Sequence, residues 1–324
     1  MIVLLFTGGT ISMKFDAALG GAVPALTGEE IVQLTPGIDQ VAEIEVDEWG
    51  RVPGPHMTVE RMWAVRNRIA HHLARPDVDG VVVTHGTDAL EESAYIVARS
   101  MPAEKPIVFT GAMRPAGDLG WDGPANLLDS ARVAASPLSR GKGTLVCLDE
   151  RIHSALEVTK THTEARGAFE SPGLGALGDV DEGTVVYRRA LLAIPEPLAP
   201  ERPAEPVDIV YAWAGADARL LDASRESGAQ AVVVAAMGRG NVPPAMFDGV
   251  VRWIESGRPA IIASRALLGR VGPTYGYPGG GRRLLEAGAM FACERRPGQA
   301  RVEAMLALGC GYDSEMLREM FGSR

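Results

Sequence analysis

The sequence predicts an α/β fold, with a larger N-terminal domain built on a mostly parallel sheet flanked by helices and a smaller C-terminal α/β domain. Three observations carry that expectation. Short β-branched apolar runs of strand length alternate with helix-period stretches, the pattern of βα units. The segment ALLAIPEPLAPERPAEP, residues 190–206, repeats proline so densely that it blocks both helix and sheet-interior hydrogen bonding. A chain of 324 residues also exceeds the roughly 250 to 300 residues at which single cores stop growing. The expected division is an N-terminal domain over 1–189, a linker over 190–206 and a C-terminal domain over 207–324.

Ile2 to Phe6 is the first strand, and the stretch MKFDAALGGAVPALTG after the TGGTIS loop reads as two short segments around Gly20 and Gly21. Thr58 to Leu73 has helical period, opened by Thr58 and Glu60 at what reads as capping-box spacing. Met62, Trp63 and Ile69 fall on its core face. The strand Gly80–Val83, the helix Ala89–Arg99, the strand Ile107–Thr110 and the helix Ala125–Ala134 follow. Beyond the linker, VDIVYAW, AQAVVVAAM and PAIIASR are buried-type strands, with the helix PPAMFDGVVRWIES among them. Ligands of open α/β sheets bind outside the carboxyl ends of the strands. The strand-end loops are therefore where chemistry is expected.

Composition narrows the function classes. A net charge of −9 argues against a nucleic-acid or anionic-membrane surface. Cys147, Cys293 and Cys310 are far apart and odd in number, so neither a disulfide framework nor a zinc site is implied. The opening MIVLLFTGG has no basic leader and too short an apolar run for a signal peptide or a membrane span. The expectation is a cytoplasmic protein. His56, His85, His153 and His162 lack metal-ligand spacing, and His71 and His72 are adjacent on a helix, so no metal and no cofactor is expected.

Four loops hold the residue types that amide chemistry needs. TGGTIS (7–12) has neither the G-x-G-x-x-G fingerprint nor G-K-[ST]; by itself it is a glycine turn or a nucleophile site. VVVTHGTDALEESA (81–94) puts Thr84, His85, Thr87 and Asp88 between a buried strand and a helix. There Thr87 or Asp88 serves either an anion site or a plain N-cap. TGAMRPAGDLGWDGPANLLDSA (110–131) is glycine-rich, and EVTKTHT (157–163) carries Lys160 between threonines.

Taken together, TGGTI, THGTD, PIVFTGAMRP followed by DGPANL, and VTKTHT resemble the bacterial-type asparaginase/glutaminase family, in order and spacing and over essentially the whole chain. GRGN (238–241) and QARVEAMLALG fit as well. The resemblance implies a cytoplasmic amidohydrolase that turns asparagine into aspartate and ammonia through an acyl-enzyme. It assigns Thr10 as nucleophile, with Thr87, Lys160 and Asp88 as a second triad in which Lys160 relays a proton through Thr87. Asp88 orients the group and meets the substrate's amino group. It also implies a homo-oligomer, a dimer or tetramer with the site at a subunit interface. Amide hydrolysis without metal needs these parts: an activated hydroxyl, a base and N–H donors for the oxyanion.

The sequence departs from the family at three places. Ala22 stands where a tyrosine is expected, and Gly54 and Pro55 stand where a serine and a glutamine or acid would contact the α-carboxylate and amino group. VGPTYGYPGGG has Tyr275 or Tyr277 in place of a neighbouring subunit's glutamate. Expected substrate contacts are therefore Gly54, Pro55, Gly86, Asp88, Asn241 and Tyr275, with Arg114 as a further candidate for the carboxylate. Two alternatives accompany asparagine hydrolysis: an amidohydrolase of the same family for a differently shaped amide, with an emptied pocket at Ala22, Gly54 and Pro55, and a non-catalytic small-molecule binder.

Overall fold

The structure, a computed structural model, describes residues 1–102 and 104–322. The chain forms two compact units, Met1–Pro197 and Leu198–Arg324. In the first, the elements run β1 (Ile2–Gly8), β2 (Met13–Asp16), β3 (Gly21–Pro24), α1 (Gly28–Gln33), β4 (Ile44–Val52), α2 (Val59–Leu73), β5 (Gly80–Thr84) and α3 (Leu90–Ser100). They continue with β6 (Ile107–Thr110), α4 (Gly123–Ala135), β7 (Thr144–Leu148), β8 (Arg151–Ser154), β9 (Thr159–Lys160), β10 (Phe169–Glu170), β11 (Gly178–Asp181) and β12 (Thr184–Tyr187). The eight-stranded sheet has the order β12-β11-β8-β7-β6-β5-β1-β4. Strands β4, β1, β5, β6 and β7 are parallel, and the β8, β11 and β12 end is antiparallel.

Parallel strands are buried on both faces and read as continuous apolar runs. Here Ile2, Leu4 and Phe6 join Val82, Val108 and Leu145 against Leu127 and Ala131 of α4. The alternate residues Val3, Leu5, Val81 and Val83 are buried as well. From β1 the chain crosses to β4 on one side and returns to β5 on the other, so the order reverses between β1 and β5. That is a switch point, where crevices form at the carboxyl ends of the strands. TGGTIS follows β1 there, and THGTD follows β5.

The expected pair of segments around Gly20 and Gly21 is the antiparallel hairpin β2–β3, with Ala22 exposed opposite Phe15. The expected capping box at Thr58 does not form. Thr58 Oγ1 accepts the Arg61 N–H, but the residue three positions on is Arg61, and Glu60 is one position too near to reach back. A reciprocal box is found instead at Thr27 and Glu30, at the start of α1. Met62, Trp63 and Ile69 are buried, as their spacing implied.

In the second unit, β13 (Val207–Tyr211), α5 (Arg219–Glu226), β14 (Ala231–Ala236), α6 (Pro244–Glu255) and β15 (Ala260–Ser264) lead to α7 (Gly281–Glu286), β16 (Met290–Phe291), α8 (Pro297–Gly309) and α9 (Ser314–Gly322). The four strands form a parallel sheet in chain order. Val210, Val232, Val234 and Ile262 pack with Val250 and Trp253 of α6, whose indole N–H donates to the Pro259 carbonyl at 2.9 Å. No helix among the described residues is long and apolar enough to cross a membrane.

Candidate active site

Three strand-end loops meet backbone to backbone. Gly9 sits at φ 87°, and a Cβ there would lie 2.5 Å from the Gly86 nitrogen. A Cβ on Gly86 would lie 2.5 Å from the Gly54 Cα. Only glycine fits either place, because the first needs left-handed backbone and both leave no room for a side chain. The contact ties together the loops after β1, β5 and β4. Thr10, half-buried, opens a short 3-10 turn (Thr10–Ser12) directly after Gly9, and Thr87 and Asp88 directly follow Gly86.

Lys160 arrives from β9. Its Nζ donates to Thr87 Oγ1 at 2.9 Å and to Asp88 Oδ1 at 2.7 Å. Thr87 is 5% exposed. Neither Thr87 nor Asp88 acts as an N-cap: α3 begins at Leu90 after Ala89, with no side-chain cap. The plain capping alternative therefore falls, because both side chains are directed to the lysine.

The rest of the loop floor is fixed by polar groups. His85 Nδ1 lies 2.9 Å from the Gly86 carbonyl, and burial pushes the ring's pKa down to about 4, which leaves it neutral and weakly basic at pH 7. The Asp122 carboxylate accepts the backbone N–H groups of Met113 and Arg114 at 3.0 and 2.9 Å. Asn126 donates to the Gly111 carbonyl at 3.0 Å and accepts the Asp149 N–H at 3.0 Å. Sequence reasoning assigned no task to Asp122 or Asn126. The signal was present, since a helix reading DGPANLLDSA buries an Asp and an Asn that need partners. Glu91, in the first turn of α3, was missed too: its Oε2 accepts both Thr159 Oγ1 and the Lys160 N–H, each at 2.6 Å.

The expected substrate contacts are distributed unevenly. Gly54 is buried in a 3-10 turn, Gly54–His56, and Pro55 beside it is exposed. A Cβ on Gly54 would stand 3.3 Å from the Asp88 Cβ and 3.4 Å from the Asp88 nitrogen. The emptied pocket expected at Gly54 is thus narrow at the Cβ, because Gly86 and Asp88 of the loop after β5 lie against it. Arg114 is engaged within its own loop, Nη1 donating to the Leu119 carbonyl at 2.9 Å. Asn241 and Tyr275 belong to the second unit. There the Asn241 side-chain oxygen accepts the Gly281 N–H at 3.2 Å, and Tyr275 stacks on Tyr277 with ring centroids 5.5 Å apart. Among the described residues, no group of three His, Cys, Asp or Glu side chains converges as metal ligands.

Both units match a known family. Residues 1–192 match the family described as "Asparaginase, N-terminal", and residues 206–321 match "Glutaminase/Asparaginase C-terminal domain". A protein of Deinococcus radiodurans described as "Probable L-asparaginase" is 36% identical, over 99% of this chain and 96% of its own length. "L-asparaginase 2" of Bacillus subtilis is 31% identical, over 99% of this chain and 85% of its own. A crystal structure described as "Probable Cytoplasmic L-asparaginase from Campylobacter jejuni" superposes with a TM-score of 0.90 at 29% identity, covering 99% of this chain and 98% of that one.

Proposed function

The chain belongs to the asparaginase family and is an asparaginase-type amidohydrolase, and from that premise we propose that it converts L-asparagine to aspartate and ammonia through Thr10. The observation that carries the mechanism is Lys160 Nζ held 2.9 Å from Thr87 Oγ1 and 2.7 Å from Asp88, on a loop that abuts the Thr10 turn.

In this reading the Thr10 hydroxyl oxygen attacks the amide carbon and the C–N bond breaks. The hydroxyl's proton leaves with the departing NH₂ group as ammonia. Water then attacks the ester, aspartate departs and Thr10 regains its proton. Lys160 takes the proton through Thr87, and Asp88 holds the lysine in place and receives the substrate's amino group. Backbone N–H groups at the start of the Thr10–Ser12 turn supply the oxyanion donors. A neutral His85 of pKa about 4 is too weakly basic to compete as the proton acceptor. Retention of both a nucleophile and a base also speaks against a binding-only protein, which needs neither.

A second reading stays in view because Ala22, Gly54 and Pro55 lack the side chains that would grip an α-carboxylate and amino group: an amide of different shape is the better substrate. Ammonia release from L-asparagine, L-glutamine, their D forms and simple amides separates the two. The first reading expects L-asparagine to lead, and a simple amide in front overturns it.

We also place the chain in the cytoplasm, supported by the solved structure described as cytoplasmic and by Cys147, Cys293 and Cys310 being far apart and odd in number. A homo-oligomer, dimer or tetramer, fits the exposed Ile209, Tyr211 and Trp213, which share one face of the edge strand β13 and its continuation.

A further inference from the structure

We propose that Glu91 is a positioning residue for the proton relay: one oxygen of its carboxylate fastens β9 to the start of α3 and so sets where the Lys160 Nζ stands against Thr87 and Asp88. The proposal rests on the reading of Lys160 as the base and adds the residue that aims it.

Lys160 sits on a strand of only two residues, laddered to the equally short β10. A two-stranded ladder of that length is marginal by itself. Glu91 supplies a second anchor. Thr159 Oγ1 and the Lys160 backbone N–H converge on the same oxygen, Oε2, at 2.6 Å each. Hydrogen bonds to an ionised carboxylate are shorter and stronger than neutral ones, and a carboxylate in the first turn of a helix is further favoured by the helix dipole. The helix is the one that begins just after Thr87 and Asp88, the two groups that receive the lysine's Nζ. Both sides of the relay are thereby referred to one rigid element. Glu91 is bonded to backbone and hydroxyl rather than to the reacting groups, so its effect passes through Lys160. Misplacing a reacting group by about 1 Å costs on the order of 10²-fold in rate.

The test uses the full chain with Glu91→Ala, Glu91→Gln and Thr159→Val. Two quantities are measured: amide hydrogen exchange over residues 157–163, and ammonia release as a function of L-asparagine concentration. Glu91→Ala should speed exchange at the Lys160 amide by about tenfold or more and lower kcat by roughly 10- to 100-fold, with KM changed by less than about threefold. Glu91→Gln keeps one acceptor oxygen and should restore kcat to within about fivefold of wild type, and Thr159→Val, which loses one of the two bonds, should fall between. Unchanged exchange in Glu91→Ala overturns the proposal. So does a kcat within about twofold of wild type, or a glutamine variant as slow as alanine with a raised KM. A wild-type chain inert toward every amide would instead sink the hydrolytic reading, while the exchange result still judges the anchor.

Discussion

At Lys160 the side chain bridges two acceptors of different character, a buried hydroxyl and a half-exposed carboxylate. Replacing it with methionine keeps most of the apolar stem and removes the donor and the proposed base together. Lys160→Met should therefore lower kcat/KM for ammonia release by roughly 10²- to 10⁴-fold, the usual contribution of a positioned acid or base. A rate within about tenfold of wild type would hand the role to another group. That Thr87, Asp88 and Lys160 meet was legible beforehand, because the three are carried by motifs whose order and spacing resemble one family. Glu91 was not legible. It is one of two acidic residues in the first turn of a helix, and such residues ordinarily just complement the helix dipole. Its partner lies 69 residues further along the chain, a separation no local pattern reveals.

Among the elements, the decisive feature is the contact of Gly9, Gly86 and Gly54, by which three strand-end loops share one point. It exists because β1 is flanked by β4 and β5, so the loops after all three emerge side by side. Gly86→Ala would place a methyl 2.5 Å from the Gly54 Cα, against backbone that cannot rotate away. The variant should lose about 1 to 3 kcal/mol of stability through overpacking, and its ammonia release should fall further than stability alone accounts for. Urea unfolding and steady-state rates measured together check this, and a variant with wild-type midpoint and rate would refute the close contact. Strands β1, β5, β6, β13, β14 and β15 were readable from their apolar runs, with boundaries within a few residues, whereas β4, β7 and the short antiparallel strands were not. The capping box was misplaced because Thr58 and Glu60 are two residues apart, whereas Thr27 and Glu30, which do form one, lie in a stretch that offered no apolar period.

For the molecule as a whole, two buried imidazoles set a pH dependence. Burial holds His85 and His153 down to about 4, from an ordinary value of 6.5; nearby Arg189 and Arg151 add to the effect at His153. Above pH 6.5 both are neutral folded or unfolded and contribute nothing. As pH falls from about 6.5 to about 4, the unfolded chain takes up protons that the folded chain refuses, so stability declines by up to about 3 kcal/mol for each histidine. Urea midpoints between pH 7 and pH 4.5 should fall more steeply in wild type than in His153→Gln; parallel slopes would mean that His153 titrates normally. The two-unit division and the fold class were visible at this scale in the proline-rich stretch and the alternating periods. The surroundings of Gly54 were not, because a missing side chain reads as empty space until its neighbours are placed. Hydrolysis by Thr10 is tested by ammonia and aspartate release from L-asparagine by wild type and Thr10→Ala. Wild type should release equal amounts of the two products, and a Thr10→Ala protein with an unchanged unfolding midpoint only background; wild-type turnover in that folded variant would contradict a Thr10 nucleophile.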